Sequence, residues 1–152
     1  MSEVLKIFDL NEKLIETQDR KEFYKEIKEE FKNTGKITKQ VKSVRIIHMN
    51  SQGRIFLQKR SKTKNENPNL YDKSVGGHVK KDESYELTLV RECAEELGFP
   101  ASIISNDEFK NAVTTTDLTI IGIFKKIDYI SNFKSVRITK KGEKFIQPYM
   151  NT

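Results

Sequence analysis

Apolar positions recur along this chain with periods that change from segment to segment, and each change marks an element. Lys6–Leu10 and Leu14–Glu16 flank Asn11-Glu12 and predict a small hairpin. From about Lys21 to Phe31 the large residues Phe23, Tyr24, Ile27 and Phe31 fall at helical spacing, which predicts a helix whose apolar stripe packs inward. Ser43–Met49 and Arg54–Gln58 alternate or run apolar on either side of Asn50-Ser51-Gln52-Gly53, a hairpin signal. Ser61–Tyr71 is polar, carries Asn65, Asn67, Pro68 and Asn69, and reads as loop. Leu118–Tyr129 reads as a strand, and Lys144–Met150 as the start of another.

The most informative helix lies between Ser84 and Gly98. Ser84 is placed as its N-cap after Asp82 and Glu83, and Gly98 as its stop. At about 100° per residue, Glu92, Glu95 and Glu96 stand at i, i+3 and i+4 and share one strip, while Leu87, Val90, Cys93, Ala94 and Leu97 fall opposite. Adjacent carboxylates repel by a few tenths of a kcal/mol per pair on an exposed helix, a cost that a hard divalent cation reverses. The donors are all oxygen, which suits Mg²⁺ or Mn²⁺. Arg91 lies eight residues after Glu83, close enough to reach back and brace the loop against the helix. Most glutamate-rich helices are only solvated faces. A solvated face does not call for Gly76-Gly77 before the glutamate, an arginine beside the first acid and a glycine after the last.

Composition limits the remaining readings. A length of 152 residues fits one domain, 1–152, able to bury a real core. A single cysteine excludes an internal disulfide and suits a reducing cytoplasm. Met1–Leu10 carries Glu3, Lys6 and Asp9, so it does not read as a signal peptide, and Leu118–Phe124, the longest apolar run, is too short to span a membrane. The expectation is a cytoplasmic protein with no membrane contact. The net charge of +6 fits an anionic ligand. Its lysines are scattered, so nucleic acid is the less favoured partner.

Together, Gly77, Glu83, Arg91, Glu92, Glu95, Glu96, Gly98 and Phe99 resemble the Nudix box, G-x5-E-x7-R-E-U-x-E-E-x-G-U, over residues 77–99, with Cys93 at the first apolar position. Upstream, Gln58-Lys59-Arg60-Ser61, Lys64, Pro68 and Tyr71–Val79 are similar to the isopentenyl-diphosphate-isomerase-like branch of that superfamily, as is Phe8–Glu12 with Asp19-Arg20. The resemblance covers about residues 5–125. It implies an α/β (α+β) fold, an alpha-beta-alpha sandwich with a mixed sheet, to which residues 1–40 add an N-terminal hairpin and helix. It also implies a further strand and a closing helix after Thr152, so the chain reads as shortened there or covered by a partner, a homodimer included. The implied activity is metal-dependent hydrolysis of a diphosphate linkage in a nucleoside-diphosphate-linked small molecule. The metal ligands implied are Gly76 through its carbonyl, Glu92, Glu95 and Glu96. The catalytic group implied is Glu92, as base, with Glu96, Arg91 and Glu83; Asp107, Glu108 and Asp117 are later acids that could supply a base instead. Arg60 and Lys64 match positions that contact diphosphate. His78 reads as a structural loop residue. Isomerases of the branch carry a cysteine in the segment that here reads Asp72–His78, and none is present, which disfavours alkene isomerisation. A non-catalytic nucleotide- or RNA-binding module is disfavoured too, because a pure binder gains nothing from adjacent carboxylates.

Overall fold

The computed structural model describes residues 2–152. In chain order the elements are β1 (Val4–Asp9), β2 (Leu14–Asp19), α1 (Arg20–Thr34), β3 (Lys39–Ile46), β4 (Gln58–Lys59), β5 (Tyr71–Asp72), β6 (Val75–His78) and α2 (Tyr85–Glu92). A π turn (Cys93–Leu97), β7 (Ala101–Ile103), α3 (Asn106–Thr115), β8 (Gly122–Phe124), β9 (Ile130–Ile138) and β10 (Lys144–Asn151) follow. The main sheet has the order β2-β1-β3-β10-β9, with β6 also paired to β3. β10 runs parallel to β3 with Tyr149 opposite Val41, and the other pairings are antiparallel, so the sheet is mixed.

Helices cover both faces. On one, α1 buries Phe23, Tyr24 and Ile27 against Leu5, Ile7, Val41, Phe145 and Tyr149. Burial of side chains this size stabilises by roughly 1.5–3 kcal/mol each. On the other, Cys93 packs with Val44, Ile46, Val75 and Phe124, and Tyr85, Leu89 and Leu97 close over them. This three-layer α+β arrangement is the one the sequence resemblance implies. No described helix is long and apolar enough to cross a membrane.

Several expectations are corrected. Leu118–Tyr129 is mostly irregular chain: Leu118–Ile120 is a turn in which Asp117 accepts hydrogen bonds from the backbone and hydroxyl of Thr119, and within the segment only Gly122–Phe124 enters a ladder. The hairpin around Asn50–Gly53 turns as expected, but its pairing stops at a Met49–Ile55 bridge and one bond from Phe56 N to His48 O. Gln58–Lys59 instead pairs with Tyr71–Asp72. On α2, Leu87 and Val90 face solvent while Thr88 and Glu92 are buried. The helix docks through the stripe Tyr85, Leu89, Cys93 and Leu97, with Thr88 and Arg91 holding Glu83 beside it, and that orientation turns Leu87 and Val90 outward.

Candidate active site

The site is built from the α2 edge and β6. Ser84 Oγ accepts from Leu87 N at 3.1 Å and starts the helix where the sequence places the cap. Arg91 then reaches back as the spacing requires. Its guanidinium forks onto Glu83, Nε to Oε1 at 2.7 Å and Nη2 to Oε2 at 2.9 Å, and Nη2 also donates to His78 O at 3.2 Å. Thr88 adds a 2.8 Å bond to Glu83. These donors hold the Glu83 carboxyl down at about 2.

The same arginine turns toward the acid strip, with Nη1 2.7 Å from Glu92 Oε1 and 3.2 Å from Glu95 Oε2. Glu92 lies over β6 at Gly77, where an added Cβ would fall 1.8 Å from Glu92 Oε1, so only glycine admits the carboxylate. From Cys93 to Leu97 the helix widens into the π turn, which departs from the regular α-helical wheel assumed for the three glutamates. Glu95 is more than half exposed, and Glu96 has no cationic partner within ion-pair distance among the described residues. Loss of solvent, then the neighbouring Glu92, push the Glu96 carboxyl up.

The donor chemistry here suits a hard divalent ion: an all-oxygen set, with no lysine or arginine in ion-pair distance of Glu96 among the described residues. Among the described residues no three acidic, His or Cys side chains yet converge on one point, because Arg91 draws Glu92 and Glu95 toward itself.

A cavity of about 460 Å³ gathers Gly76, Glu92, Glu95, Glu96, Arg60 and Lys64, which come from the box and from the loop before it. Arg60 is committed to its own loop, donating to Glu66 O at 2.9 and 3.1 Å and pairing with Asp72 at 3.4 Å. Lys64 is exposed and has no carboxylate within ion-pair distance among the described residues. Asp107, Glu108 and Asp117 do not line the cavity; Glu108 is tied to the Ser105 cap of α3 and Asp117 to its turn. His78 is buried, its Nε2 2.8 Å from the Tyr24 hydroxyl, which is 3.1 Å from Tyr149, whose hydroxyl donates to Gln147. That relay runs in one direction if His78 Nε2 carries the proton, and burial holds the ring neutral. Cavity cations that sequence reasoning missed include Arg45, Lys73, Lys80 and Arg137.

Comparisons with known proteins bear on the family and the fold. The chain is 40% identical to a Nudix hydrolase of Deinococcus radiodurans over 65 residues, 43% of this chain and 38% of that one. It is 49% identical to a prenyl-diphosphate phosphatase of Methanosarcina mazei over 53 residues, 35% of this chain and 31% of that one. The matched segments thus span well under half the length of either relative. The crystal structure of DR0079 from Deinococcus radiodurans superposes with a TM-score of 0.50 at 18% identity, covering 99% of this chain and 72% of that one, a likeness of fold. The NUDIX domain model matches residues 39–129, more than half of the chain, which therefore belongs to the Nudix family.

Proposed function

We propose that the protein hydrolyses a diphosphate linkage in a small molecule with the help of a divalent metal ion. The observation that carries this reading is the single cavity in which an acid strip, Glu92, Glu95 and Glu96, faces cations from the loops and the sheet. Nudix hydrolases generally use a divalent metal. Glu92, Glu95 and Glu96, with the carbonyl of Gly76, would hold it. When bound, such an ion neutralises phosphate oxygens and lowers the pKa of a coordinated water. The chain's own groups do the positioning. Arg91, locked on Glu83, keeps Glu92 over Gly77, and that lock gives Arg91 and Glu83 their part in the site. In this reading Glu92, with Glu96 in the same strip, takes the proton of the attacking water. Lys64 has no carboxylate partner among the described residues and is available for a phosphate oxygen, whereas Arg60 shapes the loop that carries it.

A nucleoside-diphosphate-linked compound is the substrate to which the sequence resemblance points. A second reading, a diphosphate with an apolar tail, is favoured by a neighbouring apolar cavity of about 420 Å³. This cavity includes Ile46, Leu89 and Phe124 and shares Val44, Arg45 and Lys73 with the first. The Methanosarcina mazei relative, a prenyl-diphosphate phosphatase by name, supports it as well. The test is a panel of nucleoside-diphosphate-linked compounds and prenyl diphosphates assayed with Mg²⁺ or Mn²⁺ and product masses. Hydrolysis should vanish in excess EDTA and return when metal is restored. Turnover undiminished in EDTA would overturn the proposal.

A further inference from the structure

Three cationic side chains on the sheet side of the cavity lie outside the box and apart from Arg60 and Lys64. Arg45 sits on β3 opposite Gly76 of β6, Arg137 sits on β9 opposite Phe145 of β10, and Lys73 lies in the short link between β5 and β6. All three line the cavity that holds the glutamate strip. The topology brings them together from segments up to 92 residues apart. Arg45 lies over the Phe133 ring at 4.2 Å, and Phe133 is four residues from Arg137 on the same face of β9. A guanidinium held over a ring face by its charge does not use up its N–H donors there, and these stay available to an anion. The Lys73 stem crosses β6 so closely that an added Cβ on Gly76 would fall 2.0 Å from Lys73 Cε. Glycine at 76 thereby sets where the ammonium goes.

The charges of this group are not balanced by the fold. Asp72 is the one carboxylate in ion-pair reach among the described residues, 3.4 Å from Lys73, and it is shared with Arg60 at 3.4 Å. Arg45 and Arg137 have no carboxylate partner among the described residues, whereas Arg20 and Arg91 in the same cavity are paired with Glu3 and Glu83. Arg137 is only 9% exposed, and its Nε is buried without a hydrogen-bond partner. Burial, with like charge from Arg137, pushes Arg45 and Lys73 down, and burial also works against the Arg137 charge, although Tyr149, Tyr24 and the more distant Glu66 and Asp72 raise it on balance. A buried cation without a counter-ion is strongly unfavourable, and a ligand anion reverses that cost.

We infer that Arg45, Lys73 and Arg137 form a subsite that holds the terminal, unesterified phosphoryl group of the substrate, so that the substrate is a diphosphate monoester rather than a diphosphate esterified at both ends. The inference rests on the hydrolase reading for the identity of the anion. Three cations against one shared carboxylate leave about two positive charges. A terminal phosphoryl group carries about −1.5 to −2 at pH 7 with three acceptor oxygens, and arginine forks match that geometry. A phosphate esterified on both sides carries one negative charge and fewer free oxygens. With the terminal group on the sheet side, the anhydride lies between the trio and the glutamate strip. Water adds to one phosphorus and the bridging P–O bond breaks. The protons of water pass to the products, an organic monophosphate and inorganic phosphate.

The experiment uses the full chain in EDTA, without turnover, and measures calorimetric affinity for methylenediphosphonate and for its P,P′-dimethyl ester. The unesterified probe should bind more than tenfold tighter. Arg45→Gln, Lys73→Gln and Arg137→Gln should each weaken it about tenfold, the loss of one charge-assisted hydrogen bond, and hardly change the ester. Arg137→Lys should restore part of the affinity. Melts of ligand-free Arg137→Gln should match or exceed wild type, an outcome that a merely structural arginine would not give. Equal affinity for both probes, or variants within twofold of wild type, would overturn the subsite. Hydrolysis assays of a nucleoside 5′-diphosphate, a prenyl diphosphate and a nucleoside-diphosphate sugar then separate the sources. Turnover of either monoester, reduced in the three variants, supports the subsite. Turnover of the sugar alone, unaffected by the variants, removes the subsite and keeps the hydrolase. Selective binding of the unesterified probe with no metal-dependent hydrolysis anywhere removes the hydrolase reading and keeps the phosphate site.

Discussion

Arg91 and Arg137 line the same cavity from two sides, one on α2 and one on β9, and the fold treats them in opposite ways. Arg91 spends its donors on Glu83, Glu92, Glu95 and the carbonyl of His78. Arg137 is buried with an orphaned Nε and no carboxylate beside it among the described residues. A charge satisfied within the chain is a brace, and its worth is felt in stability. One left unsatisfied is a standing cost unless a ligand arrives, and its worth is felt in binding.

The strongest way to break that comparison is through the acids. Glu96 has no cationic partner among the described residues, so Glu96→Gln removes charge from the site without breaking an ion pair seen in the fold, and the metal-free protein should keep its stability. Glu95→Gln gives up only the exposed contact to Arg91, worth a few tenths of a kcal/mol. Either change should lower metal-dependent diphosphate hydrolysis by roughly 10³-fold, the size of several kcal/mol of charge stabilisation at phosphorus. Near wild-type turnover in both would make the strip a solvated face. Next in size is the pair of arginines. Arg91→Ala strands Glu83 and Glu92, both largely buried, and should cost about 3–5 kcal/mol in urea melts without metal. Arg137→Met, which strands nothing, should be neutral or stabilising under the same conditions. Equal losses in the two variants would erase the distinction between brace and binding group.

The brace was legible because its residues are local. Eight residues separate Glu83 from Arg91, and a helix of known pitch carries one back to the other, although the buried Thr88 that completes the bond set left no signal of its own. The α1 stripe and the N-terminal hairpin were legible for the same reason, and the mixed sheet followed from the resemblance rather than from any pattern. The strand β9 was not, since its inward positions Phe133, Ser135 and Arg137 mix one apolar side chain with two polar ones and hide the period of two. The π turn was missed because residue periodicity presumes an α-helix. The cationic subsite was invisible from the sequence, where Arg45, Lys73 and Arg137 are three basic residues among many, and only the β6-β3-β10-β9 order makes them neighbours.

The smallest effect tests the brace by titration. Glu83 falls from the ordinary 4.5 to about 2 in the folded protein, chiefly through its bonds from Arg91. The folded state therefore binds a proton more weakly than the unfolded chain, so the stabilisation is complete above pH 4.5 and is lost as pH falls toward 2. Arg91 stays charged across that window, so the titrating partner is Glu83 alone. Between pH 6 and pH 3 this single group should cost the wild type about 2 kcal/mol. Glu83→Gln cannot titrate and begins from a lower stability at neutral pH. Its urea midpoint should change less with acid, and the gap to wild type should narrow steadily below pH 4.5. Parallel acid curves for the two proteins would mean that the fork from Arg91 contributes nothing to folding, and Arg91 would then differ from Arg137 only in its bonds and not in its work.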